Sequence, residues 1–140
     1  MTTTTMSRGF EFLQPADWAE PKGYANGIAV EGRQVYIAGQ IGWNAQQKLV
    51  SDDFVAQTEQ ALSNIVAVLK EAGGDASHIV RMTWYITDKP AYVDRQRDIG
   101  AAYRRVIGRH FPAMTLIVAA GLLEPGAKVE IEATAVIPKG

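Results

Sequence analysis

Two carboxylates on alternate positions of an apolar run hold the most chemical potential in this chain. They are Glu130 and Glu132 in the stretch VEIEATAV, residues 129–136. In an extended strand Glu130, Glu132, Thr134 and Val136 project one way, and Val129, Ile131, Ala133, Ala135 and Ile137 the other. Two readings are open. If helices bury the apolar side and nothing covers the other, the acids are solvated groups at a sheet margin. If the acid face meets a second subunit, at least one Glu is partly desolvated and can shuttle a proton near neutral pH. The spacing fits both. Other groups offer less. The chain has no Cys, which excludes disulfides, thiolate nucleophiles and Cys-based metal sites. His78 and His110 are the only imidazoles, with no HExxH or paired spacing, so no zinc site is expected. His110, beside Phe111-Pro112, reads as a loop histidine rather than a general base.

Positioning such acids takes a sheet and something to back it. In GIAVEGRQVYIAGQI, residues 27–41, Ile28 and Val30 alternate before Glu31-Gly32-Arg33, and Val35, Ile37 and Ile41 after it, the pattern of a hairpin. Ser51 or Asp52 is expected to cap a helix in which Phe54, Thr58, Leu62, Ile65, Val66 and Leu69 recur at helical spacing, with Gly73-Gly74 ending it. Residues 79–87 are β-branched and aromatic and read as a strand, with Val80, Met82, Trp84 and Ile86 on one side. Asp88-Lys89-Pro90 opens a second helix reaching Gly108. It turns Ile99, Tyr103, Val106 and Ile107 inward and Arg95, Arg97, Arg104 and Arg105 outward. Asp94 and Asp98 sit among those arginines, so a solvated face is expected rather than a basic patch. A strand near Thr115–Ala119, a turn at Pro125-Gly126 and a last strand over Val129–Ile137 complete a ββαβαββ order. That is an α+β fold with two helices on one face of a mixed sheet.

The 140 residues suit one domain spanning 1–140, with 1–15 as a loosely ordered start. An apolar fraction of 47% with 21% charged residues indicates a folded globular chain. The opening MTTTTMSRGF lacks the apolar core of a signal peptide, and no run approaches the ~20 apolar residues of a membrane span, so a cytoplasmic location is expected. A net charge of -1 gives a nucleic-acid partner no support. Two helices can cover only one sheet face. The other, with Tyr36, Ala38, Tyr85 and Val136, is too apolar to leave wet. A closed homo-oligomer is therefore expected, with a small-molecule ligand in the groove between subunits.

Several separated stretches share the order of one known family: VYIAGQIG (35–42), QTEQALSNIVAVLKEAGG (57–74), IVRMTWYITD (79–88), FPAMT (111–115) and VEIEATAV (129–136). The chain resembles the RidA/YjgF family, also called endoribonuclease L-PSP proteins, from about Tyr24 to Val136. The resemblance implies a chorismate-mutase-like subunit, a homotrimer around a central barrel of sheets, and ligand clefts between neighbouring subunits. It also implies hydrolysis of reactive enamines and imines, such as 2-aminoacrylate, to a keto acid and ammonia without metal or organic cofactor. Glu130 matches the glutamate that positions the attacking water and relays its proton. Tyr24 in KGYANG matches a cleft-lining tyrosine, and Gly39 the glycine of the family's SGQ, whose backbone approaches the ligand.

Departures from the pattern are as informative. The family's PART is Pro112-Ala113-Met114-Thr115 here, so Met114 replaces the arginine that binds the substrate carboxylate. The serine of SGQ is Ala38, an asparagine of the second helix corresponds to Gly100, and Leu116 stands where the backbone holds water. A guanidinium–carboxylate pair supplies two charge-assisted hydrogen bonds of about 1.5–3 kcal/mol each. Without it, 2-aminoacrylate deamination should be weak or absent, and Met114 with Ala38 describes a cleft for a less charged ligand. Met is also a common core filler. Arg109, just before FPAM, and Arg81, at the start of the third strand, are the candidates for a substitute cation, Arg109 the first to check. Trp43, after GQIG, either lines the cleft or caps the subunit interface. The expected activity is imine or enamine hydrolysis. A non-catalytic metabolite-binding trimer is the alternative, and a ribonuclease ranks last because no His pair or basic cleft is evident.

Overall fold

A computed structural model describes residues 3–139. The chain begins with strands β1 (Thr5–Ser7) and β2 (Phe10–Leu13), which pair with β3 (Gly27–Ala29) in an antiparallel sheet of order β1-β2-β3. The loosely ordered start expected over 1–15 is thus corrected for residues 5–13. Arg8 and Gly9 both take positive φ, 51° and 87°, which reverses the chain between β1 and β2. Phe10 is buried, its ring 6.3 Å from that of His78, so apolar burial offsets the ordering cost of the polar threonine run.

The second sheet is built from β4 (Gly32–Gln40), β5 (Ile79–Ile86), β6 (Ala113–Val118) and β7 (Val129–Pro138), in the order β4-β7-β5-β6. β7 runs antiparallel to β4 and β5, whereas β5 and β6 are parallel. The expected hairpin between β3 and β4 does not form, because β3 pairs with β2 and β4 with β7. Glu31-Gly32-Arg33 is a crossing point between sheets. A Cβ at Gly32 would lie 2.7 Å from the carbonyl carbon of Ile137, so only glycine lets the chain enter the second sheet there.

Helix α1 (Phe54–Glu71) covers one face of this sheet. Its cap is Asp53 rather than Ser51 or Asp52: an Asp53 carboxylate oxygen accepts from Ala56 N–H at 2.9 Å, while Ser51 Oγ accepts from Asp53 N–H. Gly73, at φ 82°, ends the helix as expected. Parallel β5 and β6 require a crossover, supplied by α2 (Lys89–Asp94) and α3 (Gln96–Val106). The single helix expected over this stretch is broken at Arg95, whose backbone leaves the helical range and whose side chain bonds both Asp53 and Asp98. Leu62, Ile65 and Leu69 of α1 pack with Met82 and Ile86 of β5 and with Val129 and Ile131 of β7. β7 therefore turns its apolar alternation to the helices and its acids away from them. On β5 a register shift between Ile79 and Arg81 leaves Ile79 in the core and Val80 half-buried.

The uncovered face is less apolar than expected. Tyr36 is 73% exposed on it, but Arg81, Thr83, Glu132 and Thr134 stand beside Tyr36 and Ala38, and Val136 is buried.

Candidate functional site

The first cluster of chemistry lies on that uncovered face. β7 sets Glu130 opposite Tyr85 of β5, and on its other side the ladder with β4 slips between Ile37 and Gln40. Gly39 sits in this irregularity. A Cβ there would fall within the Glu130 carboxylate, with Cδ at 2.9 Å, so the absence of a side chain makes room for the acid. The two glutamates are not equivalent. Glu132 is exposed and accepts a hydrogen bond from Tyr85 Oη at 3.0 Å; this bond pushes the Tyr85 phenol above its usual pKa. Glu130 is half-buried and makes no hydrogen bond or ion pair among the described residues. One acid is occupied and one is available.

The second cluster is a pocket of ≈ 370 Å³ between α3 and the β6 edge. Its rear is an aromatic stack: Tyr103 lies 5.5 Å from Phe111 at 9° and 6.5 Å from Trp84 at 29°. Tyr103 Oη donates to the His110 carbonyl at 2.5 Å, and burial drives its pKa well above the usual phenol value. Trp84 is only 5% exposed and its Nε1–H is buried without an acceptor, an orphaned donor costing about 1–3 kcal/mol. Ala25 N–H donates to the Pro112 carbonyl at 3.0 Å and bridges to Ala113, which brings Tyr24 to the mouth beside Met114.

The expected site residues divide between these places. Tyr24, Gly100, Met114 and Leu116 line the pocket; Ala38, Gly39 and Glu130 belong to the open sheet face, and Glu130 is not part of the pocket wall. Met114 also packs against the core. Trp43 lies in the loop after β4, bridged to Leu49, with its carbonyl held by Asn64 Nδ2–H at 2.9 Å; it is not part of the pocket wall. Arg109 does not face Met114. It lines a groove against the N-terminal strands, with Phe12, Asn26 and His110. The cations at the Met114 pocket are Arg104, read from the sequence only as part of a solvated helix face, and Lys22, which was not singled out. The readable signal for Arg104 was its place four residues after Gly100, on the same helix face. His110, read as a loop histidine, is half-buried: Nε2–H donates to the Ile79 carbonyl at 2.7 Å, and desolvation lowers its pKa. Among the described residues no cluster of three or more His, Cys, Asp or Glu could hold a metal ion, and no helix is long and apolar enough to cross a membrane.

An α+β subunit with an unpaired glutamate on its open sheet face and a separate aromatic pocket at its edge is the kind of protein these features define. A family model described as Endoribonuclease L-PSP matches residues 18–137. The chain is 36% identical over 118 residues to Protein DfrA of Myxococcus xanthus, covering 81% of this chain and 84% of that protein. It is 32% identical over 114 residues to the human 2-iminobutanoate/2-iminopropanoate deaminase, covering 81% and 79%. Its fold superposes on a Rid family protein, YyfB of Yersinia pestis, with TM-score 0.80 and 33% identity over 92% of this chain and 99% of that one. Rv2704 of Mycobacterium tuberculosis, of the YjgF/YER057c/UK114 family, gives TM-score 0.61 at 32% identity, covering 82% and 87%. The chain belongs to the RidA/YjgF, or endoribonuclease L-PSP, family.

Proposed function

We propose that this chain hydrolyses a reactive imine or enamine to a carbonyl compound and ammonia, with Glu130 positioning the water. The observation that carries the reading is the state of Glu130: half-buried, unpaired and seated over Gly39, while its neighbour Glu132 is engaged by Tyr85. Family membership and relatives named as imine deaminases support it. In the step proposed, Glu130 accepts a proton from water as its oxygen adds to the C=N carbon. The proton passes to nitrogen to give the carbinolamine; its hydroxyl proton is then carried by the same carboxylate to the amino group as the C–N bond breaks, giving C=O and ammonia, an enamine first tautomerising to its imine. The residues themselves supply this chemistry, and no cofactor is invoked. We place the reaction in a homotrimer. The Glu130 face and the Met114 pocket are separate in one chain, and closure of three copies through the open face would set one subunit's acid against another's pocket.

Ammonia release from a panel of imines generated in situ by an amino-acid oxidase tests this. Glu130→Gln is expected to lower the rate by about 10²–10³-fold, as loss of a general base does. Equal rates in the two proteins would remove Glu130 from the mechanism. The second reading, a trimer that binds a metabolite without turning it over, is favoured by one observation: Met114 stands in the place of the carboxylate-binding arginine. Ligand-dependent thermal stabilisation with no substrate consumed would establish it. A ribonuclease gains nothing from the structure, since His78 and His110 are each hydrogen-bonded to backbone and line neither the pocket nor the Glu130 face.

A further inference from the structure

We infer that Arg104, folded back over Gly100, is the ligand's anion anchor, and that the pocket takes a carboxylate with a bulky apolar or aromatic body. This rests on reading the Met114 pocket as the ligand end of the hydrolytic site.

Three observations converge on Arg104. Its Nη1 lies 3.4 Å from where a Cβ at Gly100 would be, so the guanidinium, though exposed to solvent, lies over the bare stretch of α3 and lines the pocket. Alanine at 100 would just fit; a longer side chain would displace the guanidinium. Two other arginines of this helical stretch are engaged, Arg95 by Asp53 and Asp98 and Arg105 by Glu59, and Arg97 is not part of the pocket wall. Arg104 has no carboxylate partner among the described residues. Finally, the pocket wall has a second cation, Lys22, and no Asp or Glu. Two cations facing a cavity without a counter-charge favour an anion, and a guanidinium suits a planar carboxylate through paired N–H donors.

The remainder of the wall sets the body of the ligand. Trp84, Tyr103, Phe111, Met114 and Leu116 present rings and apolar side chains, and ≈ 370 Å³ lies within the ~300–1,000 Å³ of pockets that hold drug-sized ligands. A three-carbon imino acid would leave this surface unfilled. On this reading the charge absent from strand β6 at Met114 is supplied from helix α3, and the ligand is an anion in place of the less charged one expected from Met114 and Ala38.

Calorimetric titration of the full-length protein with phenylacetate, and with phenylacetamide as its neutral isostere, tests the inference. Wild type is expected to prefer the acid. Arg104→Ala should lose about 10- to 100-fold in phenylacetate affinity with phenylacetamide unchanged. Arg104→Lys should retain part of the preference, Gly100→Asn should lose most of it, and Arg109→Ala should behave as wild type. Undetectable phenylacetate binding, equal affinity for acid and amide, or a loss in Arg109→Ala instead of Arg104→Ala would each overturn the anchor. Glu130→Gln separates the two readings, because it should lose imine turnover while phenylacetate binding stays dependent on Arg104. Arg104-dependent binding with no ammonia release from any imine would sink the hydrolase alone. Imine turnover with KM unchanged in Arg104→Ala would sink the anchor alone.

Discussion

Glu130 and Gly39 form a steric pair in which the glycine matters for what it lacks. A methyl group at 39 would occupy the carboxylate's place, and the clash is with the movable end of a side chain rather than with backbone. Gly39→Ala is therefore expected to rotate Glu130 away and reduce imine hydrolysis about as far as Glu130→Gln does, while changing stability by less than about 1 kcal/mol. Measuring ammonia release and urea midpoint on the same preparation checks both halves. Gly100 follows similar logic inside a helix. Glycine there costs about 0.5–1 kcal/mol relative to alanine, a cost that keeps the pocket open for Arg104. Gly100→Ala should accordingly raise the thermal midpoint slightly and leave phenylacetate binding nearly intact, in contrast to Gly100→Asn.

At the scale of elements, α1 holds its surroundings through one buried amide. Gln57 is fully buried; its Nε2–H donates to the carbonyls of Ser51 and Gly126 at 2.9 and 3.0 Å, and its Oε1 accepts from Lys128 N–H at 2.8 Å. Three backbone groups, from the loops before α1 and before β7, are tied to one helical position. Gln57→Leu fills the space but orphans those backbone groups, and should cost about 2–5 kcal/mol in chemical denaturation. The helix also approaches the loop after β4 closely: a Cβ at Gly42 would be 2.5 Å from Gln57 Cα. Between α3 and β6, His110 gives the fold a pH dependence. Desolvation lowers its folded pKa below 6.5, so the unfolded chain binds the proton more readily. Its contribution is fully present above about pH 6.5 and declines as pH falls from there toward the depressed folded value. Thermal midpoints of wild type and His110→Asn between pH 7 and 5 should converge toward acid pH, because only wild type carries this term. Parallel curves would remove His110 from the acid response.

For the whole molecule, the uncovered sheet face is where assembly is expected. Tyr36 projects from it at 73% exposure, amid Arg81, Thr83, Glu132 and Thr134. A mixed face of this kind suits an interface that pairs polar groups as it buries rings. Light scattering is expected to give about three times the 15.2 kDa chain mass. Tyr36→Glu should shift the population to monomer and abolish imine hydrolysis together. Retained hydrolysis by a monomer would show that the site is complete within one chain.

Much of this was legible in residue order. The period-2 alternation of VEIEATAV placed its acids opposite the core, and the helical spacing through Leu69 with Gly73 after it marked α1, because local backbone geometry converts sequence spacing directly into faces. The separated motifs carried the family, the fold class and Glu130 as the acid to watch. Pairing was not legible. Which strand β3 or β4 joins depends on contacts far apart in sequence, from Gly32 with Pro138 to Gln40 with Ile131 in the case of β4 and β7, and no local signal encodes them. The same limit hid the choice of cation. Arg104 and Arg109 differ by five positions in sequence; only the packing of α3 against β6 turns one guanidinium toward Met114 and leaves the other beside the N-terminal strands.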